Sequence, residues 1–465
     1  MKLISASLGK TLLLPLFLLT TLGLSGCNDD SDSDDPEESA DLPGEVIRPL
    51  IFVHGTAGSA SQYMTQAMRF DSHGYDADNI SAFEYSTNGI GPITVAATGG
   101  LNAALDAHVD AELARLGAEQ VNLACHSLGA RVCAQYLSDP MRADKVNGYV
   151  ALDGGGSTES PPCPGDVPCL GIFVNEAITL GDNNLHLPDE THVQAATSAA
   201  SFAGQFEFFT GVEPASTDIS TEDGTIEVSG RAVYFPANEG ADGTSLQVWE
   251  IDSATGERQA DDPLATFAIA ADGSWGPADL QTGEHYEFEL LRPGRATHHF
   301  YRQPFLRSSG LVRFNTSPAG SAIEINTNSS PDHASLVISR DLEWMVDNGA
   351  EIDLLEIATV SGLWPDQPSV NILSAAMGPG NIGIHVHDDA ATPAITSGDL
   401  LPYFPDQLFQ TGVDVYMPAT SPPDGHISIV STQRGDASNL QTLNVPNWAS
   451  SDHRISLILN DFLQD

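Results

Sequence analysis

Ser127, Asp153 and His192 are residue types that can cleave an acyl bond when brought together. A serine hydroxyl is a weak nucleophile until an imidazole takes its proton. That imidazole in turn needs a carboxylate to fix its tautomer and stabilise its charged form. Local context singles out Ser127, which stands in Val121-Asn122-Leu123-Ala124-Cys125-His126-Ser127-Leu128-Gly129-Ala130. Here an apolar run of β character gives way to a helical segment from Ala130 to Leu137. A sharp strand-to-helix turn lifts a serine hydroxyl clear of a sheet, strains its backbone and accepts only small neighbours. Gly129 meets that demand. Cys125 occupies the place where the G-x-S-x-G pattern has its first glycine, so the strict motif is broken there by a residue still small enough for the turn.

In the strand-turn-helix arrangement the chain order is nucleophile, acid, base. Asp153 directly follows the apolar run Val146 to Leu152, where the carboxyl edge of a sheet begins. Asp182, after Gly171 to Asn175, is its main rival and Asp189 a weaker one. Two histidines follow, His186 and His192. His186, in Asn184-Leu185-His186-Leu187, reads as one face of a last strand. His192 follows the loop Pro188-Asp189-Glu190-Thr191 and opens a helix carrying Phe202, Phe206 and Phe209, the place for a catalytic base, so it is preferred. His126, beside the nucleophile, is assigned to packing. The oxyanion formed by attack needs two N–H donors. The loop His54-Gly55-Thr56-Ala57-Gly58-Ser59 supplies one from Thr56 and the residue after the nucleophile, Leu128, supplies the other, while His54 holds the loop by packing or hydrogen bonding.

The elements that must position these residues alternate. Arg48 to Val53 is a β run, Ser61 to His73 a helix stopping at Gly74, and Ile80 to Tyr85 the next strand. Leu101, Leu105, Val109, Leu113 and Leu116 form an amphipathic helix closed by Gly117. Short apolar strands alternating with helices imply a mostly parallel sheet covered on both faces, with active residues at the carboxyl ends of its strands. After the linker Val212 to Ser216, helical periodicity disappears. Thr225 to Tyr234, Ser245 to Ile251 and His285 to Leu290 alternate apolar and polar residues, as antiparallel strands of a sandwich or barrel do. A further section from Leu306 continues in that style to Leu459.

Acidic residues number 63 against 18 basic ones, for a net charge of −45. Such a surface excludes nucleic-acid binding, which needs a basic footprint, and suits saline surroundings, where screening blunts self-repulsion. Met1-Lys2 and Lys10 precede the apolar run Thr11 to Leu19, and Leu24-Ser25-Gly26-Cys27 resembles a lipobox. Residues 1–27 are therefore expected to be a lipoprotein signal peptide with Cys27 lipid-modified. Asn28 favours the outer membrane, and the acidic residues 28–46 form a solvated tether. Cys163 and Cys169 share one short loop and are expected to pair outside the cytoplasm. Cys125 and Cys133 lie near the turn. Arg292, Arg295, Arg302, Arg307 and Arg313, with His298 and His299, could meet head groups or fatty carboxylates, but such clusters more often pair with neighbouring acids. His385-Val386-His387-Asp388-Asp389 has metal-ligand types without a third distant ligand, so a solvated loop is expected and no metal is assigned.

The segments FVHGTAGSA from Phe52 to Ala60, Met68-Arg69-Phe70, Phe83-Glu84-Tyr85, the turn at Ser127, Leu152-Asp153-Gly154 and Thr191-His192-Val193-Gln194 together resemble the Archaeoglobus lipase family. Further similarity lies in Phe206-Glu207-Phe208, Pro214 to Ile219, Tyr301-Arg302, Pro304-Phe305, Val445-Pro446 and Trp448, and spans nearly the whole chain after the tether. The resemblance implies an α/β-hydrolase domain at 47–212, a β-sandwich at 213–305 and a β-rich lipid-binding domain at 306–465. It implies a long-chain carboxylic ester hydrolase with Ser127, Asp153 and His192 as triad and Thr56 and Leu128 as oxyanion positions, needing no cofactor. The stretch from Tyr85 to Leu101 is shorter than the family's helical lid. A polyester depolymerase, thioesterase or phospholipase would use the same residues on another acyl group, and a non-catalytic lipid-binding surface protein would leave them idle.

Overall fold

Strands that are apolar at every position, rather than at alternate ones, are buried on both faces. β1 (Leu50–Val53) is such a strand and is fully buried. The computed structural model describes residues 48–462 except 347–351, 362–366, 390–391, 393–394, 405–406, 436–437 and 439. The expected export segment, Cys27 and the tether lie outside the described residues. After β1 a 3₁₀ turn leads into α1 (Met64–Ser72), then β2 (Ile80–Phe83), α2 (Ile90–Ala97) and α3 (Asn102–Leu116). Next come β3 (Val121–His126), α4 (Leu128–Leu137), α5 (Pro140–Ala143), β4 (Val146–Leu152), β5 (Cys169–Phe173) and β6 (Asn184–His186), followed by α6 (Gln194–Thr197) and α7 (Ala199–Thr210). The six strands form one parallel sheet in the order β2-β1-β3-β4-β5-β6. Leu105, Val109 and Tyr136 pack on one face; Phe70, Phe202 and Phe206 pack on the other.

Two differences from the sequence expectation have local causes. The strand at Ile80 ends at Phe83 rather than Tyr85, because Glu84 turns to Arg231 and Arg313 and Tyr85 stacks on His54 with ring centroids 4.3 Å apart. α4 begins at Leu128 rather than Ala130, because Ser127 itself caps the helix in a non-helical conformation.

The β-rich region comprises β7 (Thr225–Tyr234), β8 (Glu239–Gly240), β9 (Ser245–Glu250), β10 (Ala265–Ala268), β11 (Ser274–Gln281), β12 (Tyr286–Leu291), β13 (Thr297–Arg302), β14 (Ser309–Thr316), the short helix α8 (Ala322–Asn326), β15 (Leu336–Ser339), β16 (Leu354–Ser361), β17 (Gln367–Asn371), β18 (Gly383–His387), β19 (Gln410–Asp414), β20 (Gly425–Thr432), β21 (Leu440–Pro446) and β22 (His453–Ile458). Most neighbours run antiparallel, but β7 with β14, β13 and β15 with β22, and β18 with β19 run parallel. Parallel partners come from distant parts of the chain, and alternation alone does not reveal them. One sheet, β10-β9-β12-β13-β22-β15-β18-β19, joins strands from both sides of residue 305. Phe288 and Phe300 on one of its faces pack against the β11-β7-β14 sheet, around Trp275 and Phe314. Tyr301, Leu336 and Ile455 pack with the β17-β16-β20-β21 sheet, around Leu355 and Ile427.

The arginine cluster is largely absorbed by acids. Arg307 pairs with Asp71 at 2.6 Å, Arg313 with Glu84 at 2.8 Å, and Arg292 and Arg295 reach Glu324. Arg302 stacks on Phe305 instead. The segment at His385 is not a solvated loop. His385 and His387 sit in buried β18, the His385 ring 4.0 Å from that of Phe404 and its Nε2 2.8 Å from Gln410 Oε1. Burial drives both imidazoles down to a pKa of about 4.

Candidate active site

The turn at Ser127 places its backbone at φ 53°, ψ −116°, a conformation few non-glycine residues adopt and one that marks stored strain. It is held from three sides. Gly129 lies against β1: a Cβ there would stand 2.2 Å from the carbonyl oxygen of Val53 and 2.6 Å from that of His54. Gly154 lies against the turn itself, where a Cβ would come within 2.4 Å of the Ser127 carbonyl oxygen. Cys125, in place of the pattern's first glycine, forms a disulfide with Cys133 on α4, so strand and helix are covalently joined across the nucleophile position. Nothing in the sequence reading singled out that bond, because the two cysteines lie in different elements. Cys163 and Cys169 are also joined.

Three residues far apart in the chain meet at the carboxyl edge of the parallel sheet. His192 Nε2 lies 3.0 Å from Ser127 Oγ, and His192 Nδ1 lies 2.5 Å from Asp153 Oδ2. A carboxylate can only accept, so Nδ1 carries the proton and the Nε2 lone pair faces the serine hydroxyl. The other oxygen of Asp153 accepts from the Val174 N–H at 3.2 Å. Burial on its own would raise the Asp153 carboxyl, but the His192 and Val174 hydrogen bonds outweigh it and keep it below the ordinary carboxylate value. The rivals stand elsewhere: Asp182 and Asp189 are exposed, and His186, on β6, bonds through Nε2 to the Ile178 carbonyl at 2.9 Å.

Both residues named for the oxyanion adjoin this group. Leu128 is the first residue of α4, a position whose N–H has no acceptor within the helix. Thr56 lines the same cavity as Ser127 and His192. Its loop is pinned on the far side: the Ala57 N–H donates to Thr87 Oγ1 at 3.1 Å and the Ala60 N–H to Glu84 Oε1 at 2.9 Å. Asn238 Nδ2, from the β-rich region, reaches the Gly58 carbonyl at 3.0 Å. Burial would raise Glu84, yet Arg313 and Arg231 together hold its carboxyl at about 2. His54 stacks on Tyr85 and accepts the Tyr85 N–H at 3.2 Å, which fixes the start of the loop.

Several residues do more at the site than their sequence context indicates, or carry no signal in it. His126 does more than pack. Its Nε2–H donates to the His192 carbonyl at 2.9 Å and its Nδ1 accepts from Gln62 Nε2 at 3.0 Å. Burial, aided by the neighbouring His192, drives its pKa to about 3, so it stays a neutral donor. Phe409, at φ 61°, lies parallel to the His192 ring with centroids 6.4 Å apart. The cavity is a cleft, partly open to solvent, that runs from Ser127 to the eight-stranded sheet. There its wall is built from alternate residues of adjacent strands, among them Phe300, Ser456, Val337 and His385 in one row and Ile458, Ser339, Gly383 and Gln410 in the next.

Glu287, Glu289 and His299 bring three ligand atoms together, but Arg258 lies among them, 2.7 Å from Glu287 and 3.0 Å from Glu289. The guanidinium supplies the positive charge a metal ion would bring.

Residues 48–167 match the family model described as alpha/beta hydrolase fold, residues 224–319 that of a lipase C-terminal domain, and residues 322–463 a further C-terminal domain model. No curated protein matches the chain. Among solved structures, a gene product of Listeria innocua is 15% identical with a TM-score of 0.28, over 37% of this chain and 96% of that one. A lipase of Bacillus licheniformis in its propeptide form is 11% identical with a TM-score of 0.28, over 86% of this chain and 92% of that one. By these family models the chain has an N-terminal α/β-hydrolase domain followed by a β-rich region with a lipase-type C-terminal domain, the domain make-up of a lipase- or esterase-type hydrolase.

Proposed function

We propose that the protein is a serine-dependent carboxylic ester hydrolase acting on acylglycerol or other fatty acyl esters, a relative of the Archaeoglobus lipases. The observation that carries this is the hydrogen-bonded chain Ser127–His192–Asp153 at the wall of a cleft lined in part by Phe235, Phe300, Ile323, Val337 and Ile458. His192 takes the Ser127 proton as Oγ attacks the ester carbonyl. Asp153 stabilises the imidazolium that results without taking its proton. The N–H groups of Thr56 and Leu128 receive the oxyanion, and losing one such donor costs roughly a hundredfold or more in rate. His192 then gives its proton to the leaving alcohol. Water, activated by the same imidazole, cleaves the acyl-enzyme and restores Ser127.

The apolar part of the cleft receives the acyl chain, each buried methylene contributing about 0.8 kcal/mol. If residues 1–27 act as the lipoprotein signal peptide their sequence resembles, Cys27 carries the lipid that anchors the enzyme at the cell envelope, on the outer membrane, with the acidic residues 28–46 between anchor and enzyme. A series of nitrophenyl esters from short to long acyl chain, on wild type and Ser127→Ala, tests the proposal. Turnover that rises with chain length and vanishes in the variant supports it. Turnover retained by Ser127→Ala removes the serine mechanism, and a preference confined to acetate removes the fatty acyl assignment.

A further inference from the structure

We infer that Glu343, some 150 residues downstream in the β-rich region, is the positioning residue for the base. The inference rests on the reaction proposed above. Glu343 is 3% exposed. One carboxylate oxygen accepts the Val193 N–H at 2.6 Å and the other accepts the hydroxyl of Thr191. These are the residues immediately before and after His192. With His126 donating to the His192 carbonyl, residues 191–193 are held by three hydrogen bonds, two to the backbone and one to the Thr191 hydroxyl. A loop would otherwise be free to wander.

The platform beneath Glu343 is itself rigid. Its carbonyl accepts from Arg434 Nη1 at 2.7 Å and Arg340 Nη2 at 3.0 Å, and both arginines pair with buried Asp353. Arg434 also reaches Gln194 Oε1 at 3.1 Å, and the Thr197 hydroxyl donates to the Asp341 carbonyl. Among the described residues no lysine, arginine or histidine lies within ion-pairing distance of the Glu343 carboxylate. A carboxylate buried without a counter-charge is costly. Here both its oxygens are engaged by the residues around His192, and a purely structural salt bridge would have a cation instead. The β-rich region therefore helps to place the base as well as walling the cleft.

The test uses the full chain with a soluble short-chain ester, nitrophenyl butyrate, and three substitutions. Glu343→Gln keeps an acceptor for the Val193 N–H and turns its amide to the Thr191 hydroxyl, which can accept in its place. Glu343→Asp keeps the charge but stops one methylene short, and Glu343→Ala removes both contacts. Displacing a catalytic group by about 1 Å costs on the order of a hundredfold in rate. We expect Glu343→Asp and Glu343→Ala to lose about 10- to 100-fold in kcat with KM within about twofold, and Glu343→Gln to stay within about fivefold of wild type. Fluorophosphonate labelling should slow in parallel with kcat. If Glu343→Ala fails to fold, the other two variants decide. Glu343→Asp at wild-type kcat, a loss confined to KM, or Glu343→Gln as impaired as Glu343→Asp at equal melting temperature overturns the inference. Wild-type protein with no Ser127-dependent turnover overturns the reaction instead.

Discussion

Gly129→Ala is the smallest change that should disable the site without substituting any proposed catalytic residue. The added Cβ would stand 2.2 Å from the Val53 oxygen and 2.6 Å from the His54 oxygen. Both are backbone atoms, so no side chain can swing aside. Relieving the closer contact requires β1 and the start of α4 to part by roughly 1 Å in a close-packed interior. α4 begins at Leu128, next to Ser127, while β1 runs on into the loop holding Thr56. The separation therefore pulls the two oxyanion donors apart. Overpacking of this kind costs about 1–3 kcal/mol of stability, and a misplacement of about 1 Å costs on the order of a hundredfold in rate. Thermal unfolding by circular dichroism and kcat on nitrophenyl butyrate measure the two effects. Gly310→Ala is the matched control, since a Cβ there meets nothing nearer than Ser229 Oγ at 3.7 Å. A Gly129→Ala protein with wild-type melting temperature and kcat within twofold would refute the reasoning.

Asp153→Asn should lower kcat by about 10⁴ with little change in KM, because the amide can donate to Nδ1 of His192 and favour the tautomer whose Nε2 is protonated; a loss below tenfold, by steady-state kinetics, contradicts it. Glu84→Gln leaves Arg231 and Arg313 without their shared counter-charge and should cost about 3–5 kcal/mol, read as a lower urea midpoint. Stability should also fall as pH drops from 6.5 toward 4.5. Burial holds His126 at about 3 and His385, His387 and His453 at about 4, so unfolding takes up protons at pH values where a free imidazole is charged. Asp341 and Glu190, raised by burial to about 7, bind protons in the fold and oppose this. The four histidines outnumber these two acids, and calorimetry at fixed ionic strength that shows a melting temperature flat or rising toward pH 4.5 would contradict the prediction.

The parallel sheet was legible because strands buried on both faces leave unbroken apolar runs, and Ser127 because the strand-turn-helix demand is local. The meeting of Asp153 and His192 with Ser127 could be read from chain order and from their places after a strand and before a helix. What joins distant segments left no mark. Glu343 reads as one acid among 63, and its partners Thr191 and Val193 lie about 150 residues away. Asn238 reads as a turn residue, although its amide ties the β-rich region to the Thr56 loop. The buried place of His385 depends on β18 pairing with β15 and β19, which no local pattern encodes. The disulfide of Cys125 with Cys133 was hidden by the expectation that the first position of the turn need only be small.

In the proposed mechanism an imidazole and a carboxylate make one particular hydroxyl reactive. Mass spectrometry of the full chain after incubation with a fluorophosphonate probe tests it most directly. One adduct per chain, on the peptide containing Ser127 and lost in His192→Ala, is the predicted result. An adduct on another serine, or labelling as fast in His192→Ala as in wild type, would contradict it.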